Sequence, residues 1–258
     1  MFNYLYGPVS SWRLGASLGI DLLSQKEKLC TFDCAYCQLG ATQQFSSERK
    51  IFVPSEKIIK ELQQIPPETS IDFYTFAGKG EPTLACNFPE IADYIKDSKK
   101  GKTAILTNST LIIQKEVQND LLHIDFAAFK IDAAREETFH RINRPMPGIE
   151  LAKILSSLKE FRPSFSGMFV IQVMATTENI SEMKEIREIC VSLEPTLIQI
   201  STPIRNSPVP PLSPEQMDSI EEIFQGLPVQ TVYHGQKKKV VPFSSSATFL
   251  RRGKENIK

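Results

Sequence analysis

The chain has 258 residues, 41% apolar and 23% charged, which is enough for a sizeable core and excludes disorder throughout. Its 30 basic side chains balance 30 acidic ones, which excludes a molecule-wide field toward nucleic acid or an anionic membrane and leaves only local patches. No apolar run approaches bilayer length, and MFNYLYGPVSSWRLG lacks the basic-then-apolar order of a leader, so a cytoplasmic protein without membrane contact is expected.

The first strand is expected over 18–23, shortly before a cysteine-rich loop at 30–37. Thereafter the pattern predicts helix 56–64, strand 71–77, helix 88–97, strand 103–107, helix 114–121 and strand 126–131. It continues with helix 149–161, strand 169–175, helix 182–193, strand 197–201 and helix 215–224. The strands are β-branched and aromatic runs such as IDFYTFA, and the helices repeat apolar residues at three- and four-residue spacing. Two helices have start signals, Ser181 before EMKE and Ser213 with Pro214 before EQ, where a hydroxyl caps free amides and proline suits the first turn. Residues 203–214 are too rich in proline for helix or central strand, and a short tail is expected after the last helix. Six βα units make an α/β chain, either an open doubly wound sheet or a full or partial barrel. Phe169, Ile171 and Val173 are assigned to the core, and Cys86 and Cys190 to ordinary buried or half-buried thiols.

Five cysteines, three of them within eight residues, do not suit a secreted disulfide framework. In KLCTFDCAYCQLG the thiols Cys30, Cys34 and Cys37 are spaced Cys-x3-Cys-x2-Cys. Three thiolates on one short loop can each take one iron of a [4Fe–4S] cubane, leaving the fourth iron open to an exogenous amine and carboxylate. The methionine half of S-adenosylmethionine has those groups. Structural zinc is the alternative; it needs a fourth ligand, for which Cys86, His123 and His140 lie far along the chain. Three buried structural thiols are a further alternative.

The cysteine spacing with Tyr36 before the last thiol resembles the radical S-adenosylmethionine (SAM) superfamily. FAGKGEPTL is similar to its Gly-Gly-Glu segment, LTNST to a Thr-Asn-Gly turn, and FKIDA to a Ser-Leu-Asp-Ala strand end. The resemblance spans roughly 6–208, and YGPVSSWRLGASLGIDLL, CQLG, GEPTL and FHRINRP bring it nearest to a bacterial and archaeal branch related to the synthase that builds wyosine in tRNA. That synthase carries further N-terminal cysteines, whereas none precedes Cys30 here. The resemblance implies a partial (β/α)6 barrel, read as one core domain over 1–258, and two cofactors, a [4Fe–4S] cluster and SAM. Cys30, Cys34 and Cys37 would ligate iron. Gly78 and Gly80 would let backbone approach the methionine end of SAM, and Glu81 would accept from its ammonium. Tyr36, Asn108, Lys130 and Asp132 would complete the cofactor pocket, Lys130 facing the carboxylate and Asp132 binding the ribose or capping the next turn; as strand ends, Asn108, Lys130 and Asp132 also suit plain turn formers. The implied partners are a flavodoxin- or ferredoxin-type electron donor and a substrate that is a tRNA base, a peptide or a small metabolite. A reading of another class is a non-catalytic zinc or Fe–S module that recognises RNA.

For His140, Arg141 and Arg144 in TFHRINRPMPG, and for Arg205 in the proline-rich stretch, substrate contact stands beside a solvated helix end or surface position. Three basic runs, Lys99, Lys100 and Lys102; Lys237, Lys238 and Lys239; and Arg251, Arg252 and Lys254, are expected to be solvated faces.

Overall fold

A computed structural model describes residues 2–99 and 101–252; Lys100 and Lys254 of the basic runs lie outside the described residues. The chain opens with a hairpin, β1 (Leu5–Ser11) antiparallel to β2 (Gly15–Ile20). A two-residue parallel pairing of β3 (Leu29–Cys30) with β4 (Gln44–Phe45) then ties off the cysteine loop. Strand and helix alternate from there: α1 (Ser55–Gln63), β5 (Phe73–Phe76), α2 (Phe88–Tyr94) with a π-helical turn Ile95–Lys99, β6 (Lys102–Thr107), α3 (Lys115–Leu121) and β7 (Phe126–Lys130). Next come α4 (Glu136–Ile142), α5 (Leu151–Phe161), β8 (Met168–Met174), α6 (Met183–Leu193), β9 (Leu197–Ser201), α7 (Pro214–Ile223), β10 (Val229–Thr231) and α8 (Ser245–Arg252).

The eight-stranded sheet runs β1-β2-β5-β6-β7-β8-β9-β10, parallel from β2 onward, and curls into the expected partial barrel. Register sets Lys130, Gln172, Gln199 and Gln230 side by side across β7 to β10. Toward the amino ends of the strands, Ala104, Phe126, Ala128, Val170 and Leu14 fill the lumen. The opposite face of the sheet buries Phe76, Phe129 and Phe169 under the helices, Phe129 and Phe169 with ring centroids 4.7 Å apart. Each such side chain contributes about 1.5–3 kcal/mol by leaving water. The turn between β1 and β2 reaches across the open side: Gln230 Nε2 donates to Trp12 O at 2.9 Å, and Gln199 Nε2 to Arg13 O at 3.5 Å.

Several expectations need correction. β1 lies ahead of the first strand expected, and as a sheet edge it tolerates Pro8. β10, of three residues, and α4 add to the elements expected, and α8 is a helix where a tail was expected. Ser213 caps α7 in a reciprocal capping box with Gln216, but Ser181 caps nothing: α6 starts at Met183 after a 3-10 turn. Cys86 is exposed, whereas Cys190 is buried. Arg251 is buried too, its Nε 2.8 Å from Asp21 Oδ2, so this member of the last basic run is not on a solvated face.

Candidate active site

The cysteine loop is held at both ends by backbone. Leu29 N donates to Lys79 O at 3.1 Å and Glu81 N to Leu29 O at 3.1 Å, which sets β3 against the GKGE segment. At the far side, Ala35 N donates to Ile142 O at 2.8 Å and Asp33 N to Asn143 O at 3.1 Å. Phe32, fully buried, meets Phe139 of α4 edge-on at 5.4 Å. The FHRINRP segment therefore acts as a buttress for the loop. His140 pairs with Glu136, Arg141 with Glu137 and Glu178, and Arg144 with Asp33, all three at exposed positions outside the cavities described below.

Cys30, Cys34, Cys37, Tyr36, Gly80, Glu81, Asn108 and Lys130 line one cavity of about 190 Å3 at the carboxyl ends of the strands. The three thiols are free of disulfides. Asn108 Nδ2 donates to Thr31 Oγ1 at 2.7 Å and lies 3.5 Å from Cys30 Sγ; Asn143 Nδ2 lies 3.6 Å from Cys34 Sγ. Burial pushes the Cys30 thiol up to about 12, aided by Glu81 and Cys34, and the Cys34 thiol up to about 11, aided by Asp132. Among the described residues, Asp218, Glu221 and His234 are the one group of three histidine, cysteine or acidic side chains whose donor atoms all lie within 4.8 Å of one another, so at least one pair among the sulfurs of Cys30, Cys34 and Cys37 is farther apart than that. Three soft donors around one cavity fit the three protein-bound corners of a cubane cluster.

Glu81 is 2% exposed and its carboxylate is already well supplied. Oε1 accepts from Thr83 N at 3.1 Å, Thr83 Oγ1 at 2.7 Å and Thr107 Oγ1 at 2.7 Å, and Oε2 accepts from Asn108 N at 2.7 Å. Burial raises its carboxyl pKa while these donors oppose the rise. Oε1 is saturated, and the capacity for a further donor is on Oε2. Close approach does explain both glycines, but the neighbour is the chain itself. A Cβ on Gly80, at φ +150°, would fall 1.7 Å from Leu29 O, and one on Gly78 would fall 2.2 Å from Asp21 Oδ1. Gly80 also lines the cavity; Gly78 does not.

Asp132 has a fully buried side chain and is not among the residues that line the cavity; its partners Tyr36 and Lys130 are. Oδ2 accepts from the Tyr36 hydroxyl and from Asn143 Nδ2 at 2.8 Å, and Oδ1 accepts from Met174 N at 2.8 Å. Burial first, then Asp132, pushes the Tyr36 phenol well above its ordinary range, so Tyr36 donates as a neutral phenol. Lys130 bridges the two environments: its Nζ lies 3.6 Å from Asp132 Oδ1 and 5.3 Å from the centre of the Tyr36 ring. Asp132 thus positions the tyrosine between the second and third thiols. Sequence reasoning missed Asn143, Thr107 and Gln172, polar residues at helix or strand ends whose only local signal is a side chain that such positions commonly carry.

Comparison with known proteins places these features in context. A family model described as the radical SAM superfamily matches residues 28–190. A UPF0026 protein of Synechocystis sp. is 39% identical over 214 residues, covering 81% of this chain and 78% of that protein. Among solved structures, Streptococcus suis SuiB bound to S-adenosylmethionine superposes with a TM-score of 0.64 at 13% identity over 84% of this chain, which spans about half (50%) of that longer one. A structure of TYW1 with a lysine-pyruvate adduct bound has a TM-score of 0.59 at 11% identity, over 81% of this chain and 72% of that one. At these identities the structural likeness concerns the fold.

Proposed function

Because the chain belongs to the radical SAM superfamily and to the UPF0026 proteins, we propose that Cys30, Cys34 and Cys37 hold a [4Fe–4S] cluster and that SAM is seated in the cavity they line. The observation that carries this reading is the convergence of three disulfide-free thiols with Glu81 and Gly80 on a single cavity. Such a cluster, when bound, supplies one electron to the sulfonium of SAM, which releases a 5′-deoxyadenosyl radical able to abstract hydrogen from a substrate carbon. The chain's own residues do the placing. Oε2 of Glu81 accepts from the ammonium of SAM, Lys130 faces its carboxylate, and Asn108 and Asn143 direct amides toward the sulfurs of Cys30 and Cys34. Asp132 acts through Tyr36, holding the ring against the cavity. A flavodoxin or ferredoxin supplies the electron.

Anaerobic reconstitution with iron and sulfide, followed by a dithionite assay for 5′-deoxyadenosine, tests this reading. A colourless protein with one zinc, or a full cluster without cleavage of SAM, overturns it. For the substrate, the resemblance to the wyosine-related branch favours a tRNA base. Comparative mass spectrometry of tRNA nucleosides from cells with and without the protein tests that, and an unchanged profile replaces it with a peptide or metabolite.

A further inference from the structure

A second cavity, of about 210 Å3, adjoins the first and shares Tyr36, Cys37, Lys130 and Gln172 with it. It contains neither Cys30, Cys34 nor Glu81, and is walled instead by the β1–β2 turn and the start of the proline-rich segment. Three cations, Arg13, Lys130 and Arg205, line it, and among the described residues no aspartate or glutamate does. Lys130 is offset by Asp132 from behind, and Arg205 Nη1 donates to Gln38 Oε1 at 2.8 Å. Arg13 is different. Its guanidinium lies 4.5 Å from the centre of the Trp12 ring and makes no hydrogen bond or ion pair among the described residues, and its Nε is buried without an acceptor. Gln172 Nε2, on the same cavity, is also buried without an acceptor.

Buried donors without acceptors cost free energy, and two guanidiniums facing one apolar-walled space repel each other. Burial, with Arg205 and Arg252 adding to it, pulls the Arg13 guanidinium down to about 9. An oxyanion here accepts from Arg13 Nε and Gln172 Nε2 and offsets the Arg13 charge through charge-assisted hydrogen bonds. We propose that this cavity is the substrate subsite and that the substrate carries an oxyanion, a phosphate or a carboxylate, docked on Arg13 beside Arg205. The assignment as a substrate subsite rests on the radical SAM reading above. The two cavities share Tyr36, Cys37, Lys130 and Gln172, which sets a substrate held by its anion next to the SAM cavity.

The test is titration of the reconstituted protein with inorganic phosphate and, separately, with acetate, each with and without SAM. Wild-type protein should bind at least one of the two, and the tighter one identifies the group. Arg13→Met should weaken binding about tenfold or more, the loss of a charge-assisted pair of hydrogen bonds. Arg13→Lys, which keeps the charge without the fork, should fall between; it stands in if the methionine variant does not fold. SAM should leave the anion in place. No binding of either anion, equal binding by wild type and Arg13→Met, or displacement by SAM overturns the proposal, the last by giving the arginines to the cofactor's own carboxylate. Failure of the radical SAM reading is registered separately, in the wild type's iron content and 5′-deoxyadenosine release.

Discussion

Arg251→Met should destabilise the protein by about 3–5 kcal/mol, because it leaves Asp21 as an uncompensated buried charge. The side chains of Arg251 and Asp21 are 6% and 1% exposed, and Arg251 Nε lies 2.8 Å from Asp21 Oδ2. Arg251 Nη2 also donates to Asn3 O at 2.6 Å, so the substitution removes a second hydrogen bond, to the amino-terminal segment. Asp21 Oδ1 accepts from Ser24 N at 3.0 Å and Lys79 N at 3.4 Å, which links α8 through one carboxylate to the GKGE segment beside the cysteine loop. In thermal unfolding followed by circular dichroism, the midpoint should fall by roughly 6–20 °C for a chain of this size. The double variant Asp21→Leu with Arg251→Met replaces the ion pair by apolar contact and should recover most of the loss. A single variant within about 1 kcal/mol of wild type, or Asp21→Leu costing the same in both backgrounds, refutes the reasoning.

Alanine at Cys30, Cys34 or Cys37 should lower bound iron and abolish 5′-deoxyadenosine release, and full iron content in any one of these variants removes that residue from the ligand set. Gly80→Ala forces a Cβ against Leu29 O, 1.7 Å away, so β3 must shift; a loss above about 3 kcal/mol is expected, and a wild-type melting midpoint contradicts it. Asp132→Asn replaces one of two accepting oxygens by a donor, which sets the new amide against either Met174 N or the Tyr36 and Asn143 donors, and should cost about 2–4 kcal/mol and reduce iron retention. Normal iron and stability with weaker SAM binding would instead return Asp132 to a ribose contact. Ser213→Ala removes one half of a capping box and should cost about 1 kcal/mol in the same melting assay.

Much of the barrel was legible locally. The strand expected over 197–201 is β9, and the others differ from expectation by a few residues at their ends, because a buried parallel strand is a continuous apolar run flanked by turn formers. β1 was hidden for the opposite reason: an edge strand bearing Gly7 and Pro8 looks like loop until its pairing is known. The site divided in the same way. Cys-x3-Cys-x2-Cys is short-range information, readable because three ligands on one loop need little help from the fold. Asp132 was read toward ribose and is in fact turned toward Tyr36, a partner 96 positions away that no local pattern reveals.

The sequence by itself determined the periodic elements, the βα order, the three-thiol loop and the small and polar residues at successive strand ends. Each of these depends on residues within a few positions of one another, where backbone propensity and ligand spacing suffice. Only the tertiary structure decided which neighbour each buried polar group meets. It set Gly80 against the carbonyl of Leu29, turned Arg251 from a surface charge into the partner of Asp21, and brought Arg13 and Arg205 to one cavity, the Nε of Arg13 buried without an acceptor. Those outcomes depend on desolvation and on contacts between distant segments, which exist only once the sheet has closed and water has been excluded.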